Sequence, residues 1–188
     1  MKTLNNKLVI LDRDGVINYD SDDYIKSVDE WEAIPGSLEA IAKLNQADYK
    51  VVICTNQSGI SRRLYDVDTL NAMHEKMFRQ LARHGGEISA IFFCPHVDEN
   101  NCSCRKPKTG MFKDIIERFS LQNELNGIPV VGDSLRDLIG AVQLGAEPHL
   151  VLTGKGIPTR EKGGLPPYTA IHENLSAFVE HFLRVKQC

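Results

Sequence analysis

Two aspartates two residues apart, Asp12 and Asp14, end the apolar run Val9-Ile10-Leu11 and precede Gly15. In such a pair one carboxylate can attack an electrophile or hold a metal while its neighbour handles a proton. Three more polar groups follow apolar stretches further along: Thr55-Asn56, Arg105-Lys106, and Asp133 with Asp137. Carboxylates at Asp12 and Asp133 suit a divalent cation. Thr55 and Lys106 suit an anionic ligand. A nucleophile, a metal site, a proton carrier and a charge-neutralising clamp make up the set that phosphoryl transfer requires. Each group alone has a plainer reading: an Asp-Gly turn, a helix cap at Asp133-Ser134, a turn at Thr55-Asn56, a solvated lysine. Their joint occurrence at successive strand ends is what favours chemistry.

A second cluster reads Cys94-Pro95-His96, five residues, then Cys102-Ser103-Cys104. Three thiolates and one imidazole suit a closed tetrahedral Zn²⁺ site with a structural role. Free thiols or a redox pair are the competing readings, and the one-residue spacings are tighter than the commonest zinc patterns. Cysteines this dense in a chain without a secretory signature favour metal over disulfide. A zinc here would cinch the loop that ends in Arg105-Lys106. Cys54 lies in an apolar run and is expected in the core. Cys188, the last residue, is expected to be inert.

Apolar runs and periodicity supply the elements that would position these groups. Strands are expected at Lys7–Leu11, Lys50–Cys54, Ile88–Phe93, Pro129–Val131 and His149–Leu152, each a short β-rich stretch. Helical stripes fall between them. Leu38, Ile41 and Leu44 follow Ser37, the expected N-cap; Leu70, Met73, Met77 and Leu81 follow Asp68; Phe112, Ile115 and Phe119 mark a third, and Leu135, Leu138 and Val142 a fourth. A Gly/Pro-rich stretch over 154–167 reads as a loop, and a last helix is expected near Leu175–Val185. Residues 19–32 show no period and read as a flap over the strand ends. Strands alternating with helices imply an α/β fold, one doubly wound Rossmann-like domain with a central parallel sheet spanning 1–188.

Composition agrees with an ordinary globular enzyme: 188 residues, 42% hydrophobic, 25% charged, formal net charge −3. That charge argues against a nucleic-acid or anionic-membrane partner. No apolar run approaches the ~20 residues needed to span a bilayer. The first residues lead straight into the first strand, so a cytoplasmic location is expected.

Asp12-Arg13-Asp14-Gly15-Val16, Thr55-Asn56-Gln57-Ser58-Gly59, Lys106 and Gly132-Asp133-x-x-x-Asp137 resemble, in order, the four signature motifs of the haloacid dehalogenase superfamily of phosphatases. The resemblance covers nearly the whole chain. It implies that Asp12 is the nucleophile that becomes an aspartyl phosphate, and that Asp14 protonates the leaving oxygen and then activates water. It implies that Thr55 and Lys106 bind the transferring phosphoryl group. Mg²⁺ would be held by the carboxylates of Asp12 and Asp133 and the main-chain carbonyl of Asp14. The zinc loop followed by Cys104-Arg105-Lys106-Pro107, with Asn56-Gln57-Ser58-Gly59 and no cap domain, is similar to a capless subfamily that includes the histidinol-phosphate phosphatases. Substrate contacts are then implied from Arg13, from Asp20, Ser21, Asp22 and Asp23 in the flap, and from Asn56, Gln57, Ser58, Arg105 and Ser134.

Three departures stand out: a flap one residue longer than expected, a short zinc loop, and Arg62-Arg63 where Arg-Gly is common. Loops rich in Arg62, Arg63, Arg105, Lys106 and Lys108 carry more positive charge than one phosphoryl group requires. A small sugar bisphosphate therefore fits better than a monophosphate, with Arg105 and Arg63 available to the second phosphate. The resemblance implies a place in the supply of nucleotide-activated sugars for the cell envelope, and a monomeric enzyme is expected. Competing readings are a histidinol-phosphate phosphatase, a polynucleotide 3′-phosphatase, which should want a basic nucleic-acid track, and a non-catalytic phosphosugar-binding module, which has no chemical need for Asp12, Asp14, Lys106 and Asp133 together.

Overall fold

Alternate residues of the first strand face opposite ways, and both ways are apolar. In the computed structural model, which describes residues 7–186, β1 (Leu8–Leu11) is accordingly buried on both faces. Val9 and Leu11 join Val51 and Ile53 on one face; Leu8 and Ile10 join Val52 and Cys54 on the other. Two hydrophobic cores result, one on each side of a single sheet. The first holds Ile41 and Leu44 of α1 (Ser37–Gln46), Leu70, Met73 and Met77 of α2 (Val67–Ala82), and Phe178, Val179 and Phe182 of a C-terminal helix. The second holds Met111, Phe112 and Ile115 of α3 (Gly110–Arg118) and Ala141 of α4 (Leu135–Val142).

The sheet has six strands, all parallel, in the order β3-β2-β1-β4-β5-β6. Besides β1 these are β2 (Lys50–Asn56), β3 (Ala90–Cys94), β4 (Pro129–Gly132), β5 (Glu147–Val151) and β6 (Ala170–His172). The chain winds outward from β1 to β3, then returns to lay β4 on the other side of β1. Strand order therefore reverses between β1 and β4, where Leu11 pairs with Val131. Open α/β sheets leave a crevice at that reversal, outside the carboxyl ends of the strands. Asp12 and Asp133 are the residues that follow these two strands.

The doubly wound parallel sheet matches expectation; three local features do not. The Gly/Pro-rich stretch contains a helix, α5 (Gly156–Lys162), and β6 adds a sixth strand before α6 (Leu175–Lys186). Ser37 is not an N-cap: Gly36 occupies that position in the left-handed region (φ 83°), and Ser37 is the first helical residue. Its hydroxyl instead donates to the Ile17 carbonyl at 2.7 Å, tying α1 to the segment after the aspartate pair. Cys54 is buried as expected, its thiol pushed up to about 12 by burial. Cys188 lies outside the described residues.

The flap is anchored rather than loose. Its base closes through Tyr19 N–H donating to Glu32 O at 3.0 Å, and through a bridge between Asn18 and Ala33. Trp31 is fully buried in the first core, and Lys76 of α2 donates to the Val28 and Trp31 carbonyls at 2.7 Å each. Only the tip, around Asp20–Ile25, is left to face the strand ends.

Candidate active site

The four sequence motifs meet in one polar cavity of about 180 Å³ at the carboxyl edge of the sheet. Asp12, Asp14, Thr55, Lys106, Asp133 and Asp137 line it, with Asp20 and Asp22 from the flap opposite. At its floor Lys106 is almost fully buried. Its Nζ lies 3.1 Å from Asp12 Oδ1 and 2.7 Å from Asp137 Oδ1, and it donates to the Cys54 carbonyl at 2.6 Å. Burial opposes its charge, yet the two carboxylates outweigh that and raise its pKa. The ammonium is thus permanently charged.

Asn56 sets where that lysine stands. Its Nδ2 donates to Lys106 O at 3.0 Å and its Oδ1 accepts from Lys106 N–H at 3.1 Å. A side chain at the end of β2 therefore pins the backbone of the loop that leaves the cysteine cluster. Asp137 is fixed as firmly. Its Oδ2 accepts from Ser134 N–H at 3.0 Å and from Ser134 Oγ at 2.6 Å.

Asp12 and Asp133 stand differently. Burial, then repulsion by Asp137 and Asp14 against the pull of Lys106, raises Asp12 to about 7. Burial, then Asp137 and Asp12, raises Asp133 to about 8. Carboxylate oxygens of Asp12, Asp133 and Asp137 lie within 4.8 Å of one another. Since Asp137 is held by Lys106 and Ser134, it serves as counter-charge, and Asp12 and Asp133 are left facing each other with too little positive charge between them. A divalent cation supplies it. The backbone is shaped for this. Gly15 has φ 82°, and a Cβ built there would come within 2.1 Å of Asp133 Oδ2; Gly154 closes on the same oxygen from the β5 side. The residues present therefore fit a Mg²⁺ held by Asp12, Asp133 and the Asp14 main chain.

Asp14 is held by Arg13 through Nε at 3.1 Å and Nη2 at 2.9 Å, by Asn18 Nδ2 at 2.8 Å and by Gln57 Nε2 at 2.8 Å. Burial works against its charge, but these partners outweigh it and lower its pKa. Gln57 also donates to Thr55 Oγ1 at 2.9 Å and accepts from Tyr65 OH at 2.6 Å. One amide so links Asp14 to Thr55.

Several residues expected to contact substrate have side chains that do not line the cavity. Arg13 is fully buried and does not line the cavity; its guanidinium braces Asp14, Gln57 and His74 Nε2. Burial, then Arg13, lowers His74 to about 4, so its ring is a neutral acceptor. Ser134 is buried and spent on Asp137. Asp23 and Arg63 are not among the lining residues, whereas Asp20, Ser21, Asp22, Asn56, Gln57, Ser58, Arg62 and Arg105 are. Arg63 holds φ 59° at the end of a turn, which explains why glycine suits that position. Two charged lining residues had no sequence signal. Lys155, in the loop read as irregular, pairs with Asp20 at 3.4 Å and Asp22 at 3.2 Å, and its N–H donates to Asp133 Oδ2 at 2.8 Å. The other is Arg136, in the first turn of α4.

Beside the cavity, Cys94, His96, Cys102 and Cys104 converge, with ligand atoms 3.2–3.6 Å apart where they touch. The four present one ligand atom each within 4.8 Å, a set that could hold a metal ion. Burial raises Cys94 to about 12. At Cys102 burial is outweighed by the Arg105 N–H and neighbouring thiols, which bring it down to about 6. Arg105 itself is tied back to the cluster, by Nε to Asp98 at 2.5 Å and by Nη1 to His96 O at 3.1 Å.

A parallel sheet with Asp12 and Asp133 at its reversal point, and a buried lysine paired with Asp12 and Asp137, defines a hydrolase of the haloacid dehalogenase type. Known proteins agree. The family model for polynucleotide kinase 3 phosphatase matches residues 7–137, and a HAD-hydrolase-like model matches residues 103–178. A D-glycero-beta-D-manno-heptose-1,7-bisphosphate 7-phosphatase of Bordetella bronchiseptica is 56% identical over 178 residues, covering 95% of this chain and 98% of the relative. One from Neisseria meningitidis is 51% identical, with 95% of each chain covered. A crystal structure of D,D-heptose 1,7-bisphosphate phosphatase from B. bronchiseptica, complexed with magnesium and phosphate, superposes with a TM-score of 0.92 at 55% identity, over 95% of this chain and 98% of that one. The chain belongs to this family of heptose bisphosphate phosphatases within the haloacid dehalogenase superfamily.

Proposed function

We propose that this protein is a Mg²⁺-dependent phosphatase that removes the C7 phosphate of D-glycero-D-manno-heptose 1,7-bisphosphate. The observation that carries the reading is the triple Asp12, Lys106 and Asp133 at the reversal point, inside a cavity that four further cationic side chains line. Asp12 attacks phosphorus, the bond to the C7 oxygen breaks, and that oxygen takes a proton from Asp14. Water then attacks the aspartyl phosphate, Asp14 takes its proton, and inorganic phosphate leaves with Asp12 restored. Asp14 in its present hold, ionised against Arg13, is set for the second half-reaction; the first requires it to arrive protonated. Lys106 and Thr55 receive the phosphoryl oxygens, and Lys106 offsets the repulsion between a carboxylate and a phosphate dianion. Magnesium at Asp12, Asp133 and the Asp14 carbonyl supplies further neutralisation of charge as the phosphoryl group is transferred.

Zn²⁺ is the ion the cysteine cluster suits. A tetrahedral zinc with thiolate bonds near 2.3 Å sets sulfurs about 3.8 Å apart, and the observed separations of 3.2–3.6 Å lie just inside that. Its role is to fix the loop from which Arg105 and Lys106 project. The protein acts alone on a small molecule, with nothing in its charge to favour nucleic acid despite the name of the matching family model.

The test is a phosphate-release screen with Mg²⁺ over the heptose bisphosphate, other sugar bisphosphates and histidinol phosphate. Highest kcat/KM is expected for the heptose 1,7-bisphosphate, with the C1 phosphate retained. A clear preference for histidinol phosphate would replace this reading with its neighbour.

A further inference from the structure

Five cations line the cavity: Arg62, Arg105, Lys106, Arg136 and Lys155. Three are already engaged with carboxylates. Lys106 serves Asp12 and Asp137, Lys155 spans Asp20 and Asp22, and Arg105 is turned back on Asp98. The other two, Arg62 and Arg136, have no carboxylate within ion-pair distance among the described residues, and Arg136 is the one on the segment that carries Asp133 and Asp137. Its one hydrogen bond is from Nε to Ser134 Oγ at 3.2 Å, and no carboxylate lies within ion-pair distance of it among the described residues. It is solvent-exposed although it lines a concave site, so a ligand in the cavity can reach both Nη groups.

Its footing is rigid. Arg136 sits in the first turn of α4, three residues after Asp133 and one before Asp137. The Ser134 hydroxyl that accepts from it is itself bonded to Asp137. The guanidinium is therefore mounted on the same short segment as the carboxylates around the reacting centre. Across the cavity, Asp98 feels Arg105 directly and Arg136 and Arg62 at longer range. Three guanidinium groups thus stand near one another at the cavity rim, and Arg136 also feels Asp137, Asp12, Asp133 and Asp20 without pairing with any of them.

We propose that Arg136 is a substrate-binding residue that holds the non-reacting phosphate of a sugar bisphosphate, and that it is a main source of the preference for bisphosphates over monophosphates. This rests on the bisphosphate reading above. A guanidinium can grip a phosphate with two parallel N–H bonds. Binding energy from that remote group orients the reacting end against Asp12. Because Lys155 and Arg105 already have carboxylate partners, a ligand must displace those to use them, whereas Arg136 has no paired carboxylate to displace.

The experiment compares wild type, Arg136→Gln and Arg136→Lys on three substrates: the heptose 1,7-bisphosphate, the heptose 7-phosphate that lacks the second phosphate, and para-nitrophenyl phosphate. Thermal midpoint and metal content serve as controls for folding. For Arg136→Gln, kcat/KM on the bisphosphate should fall about 10–100-fold, the worth of a charged hydrogen-bonded contact, chiefly through KM. The two monophosphates should change less than about threefold, since they make no such contact. Arg136→Lys should restore part of the loss. Equal losses on all three substrates, or no loss on any, overturns the proposal. If wild type itself shows no preference for the bisphosphate over the 7-phosphate, the bisphosphate reading fails at the outset, and Arg136 has no second phosphate to hold.

Discussion

Asp12 and Asp14 are neighbours of the same type, yet their surroundings drive them apart. Asp12, raised to about 7, faces Asp133 and a single lysine; Asp14, lowered, is gripped by Arg13, Asn18 and Gln57. Carboxylates with opposed environments are the pattern of a divided acid–base and nucleophile assignment. Asp12→Asn should abolish turnover with the fold intact, because an amide cannot form the phosphoenzyme. Asp14→Asn should leave a folded protein slowed about 10²–10⁴-fold, the usual worth of general acid–base help. Steady-state phosphate release on purified variants, with circular dichroism to check folding, measures both; near-wild-type turnover by Asp12→Asn would exclude the mechanism. At this scale the sequence was most informative where a residue's spacing from a strand end decides its place, as for Asp12, Thr55, Lys106 and Asp133. It was silent where burial decides. Arg13 lies between two cavity residues in the chain, but its side chain turns inward, and only the positions of His74 on α2 and Gln57 after β2 account for that.

Among the elements, those with a full apolar period were legible and those without were not. β1 to β5 and the four helices between them announce themselves through runs and stripes. β6 is three residues long at the sheet edge, with Ala170 and His172 half-buried and Ile171 exposed, too short for a period to register. α5 is hidden because Gly156 and Pro158 usually signal a loop, although proline is tolerated in the first turn of a helix. The cysteine loop makes the element-scale case for zinc. Cys102→Ser should lower the zinc content well below one per chain and lower the thermal midpoint, with kcat falling less at temperatures where the variant stays folded. Elemental analysis and a melting curve decide it; a zinc-free wild type with freely titrating thiols would refute the structural site. On the far side, His149 of β5 donates or accepts at 3.1 Å with His172 of β6 and stacks edge-on against Phe178 of α6. Burial, then His172, His181 and Lys186, lowers His149 to about 3, and burial, then His181, lowers His172. Both rings are therefore neutral in the fold but take a proton in the unfolded chain below about 6.5. Their contribution to stability is present above that pH and is lost as pH falls toward the folded-state values. His149→Leu should give a shallower fall of thermal midpoint between pH 7 and 5 than wild type, whatever its midpoint at pH 7; an unchanged slope would rule His149 out as the source.

At the scale of the whole molecule, the reversal of strand order gathers acidic residues from elements far apart in the chain and leaves them short of positive charge. Asp12 follows β1, Asp133 follows β4, Asp20 comes from the flap, and Lys155, which touches Asp133 and pairs with Asp20, follows β5. The ledger of protons then has a definite sign. Asp12 and Asp133 titrate near 3.8 when unfolded but at about 7 and about 8 in the fold. Between roughly pH 4 and pH 8 these two groups hold more protons in the folded metal-free protein than in the unfolded chain, so their contribution makes stability fall as pH rises through that window. Lys106 and Asp137, shifted toward their charged forms, stay ionised and do not reverse the trend. Magnesium competes with the same protons. Below the folded-state values the carboxyls are protonated and the ion gains little; above them it meets two bare carboxylates and stabilises the fold by mass action. The increase in thermal midpoint on adding Mg²⁺ should therefore be small at pH 5.5 and grow steadily to pH 8, measured as the difference between samples with and without added Mg²⁺, their zinc content equal, at each pH so that the histidine contribution cancels. Asp133→Asn removes one of the two groups and should flatten the dependence. An increment that is constant across this range, or that shrinks as pH rises, would mean that the paired carboxylates at the reversal point are not where the ion binds.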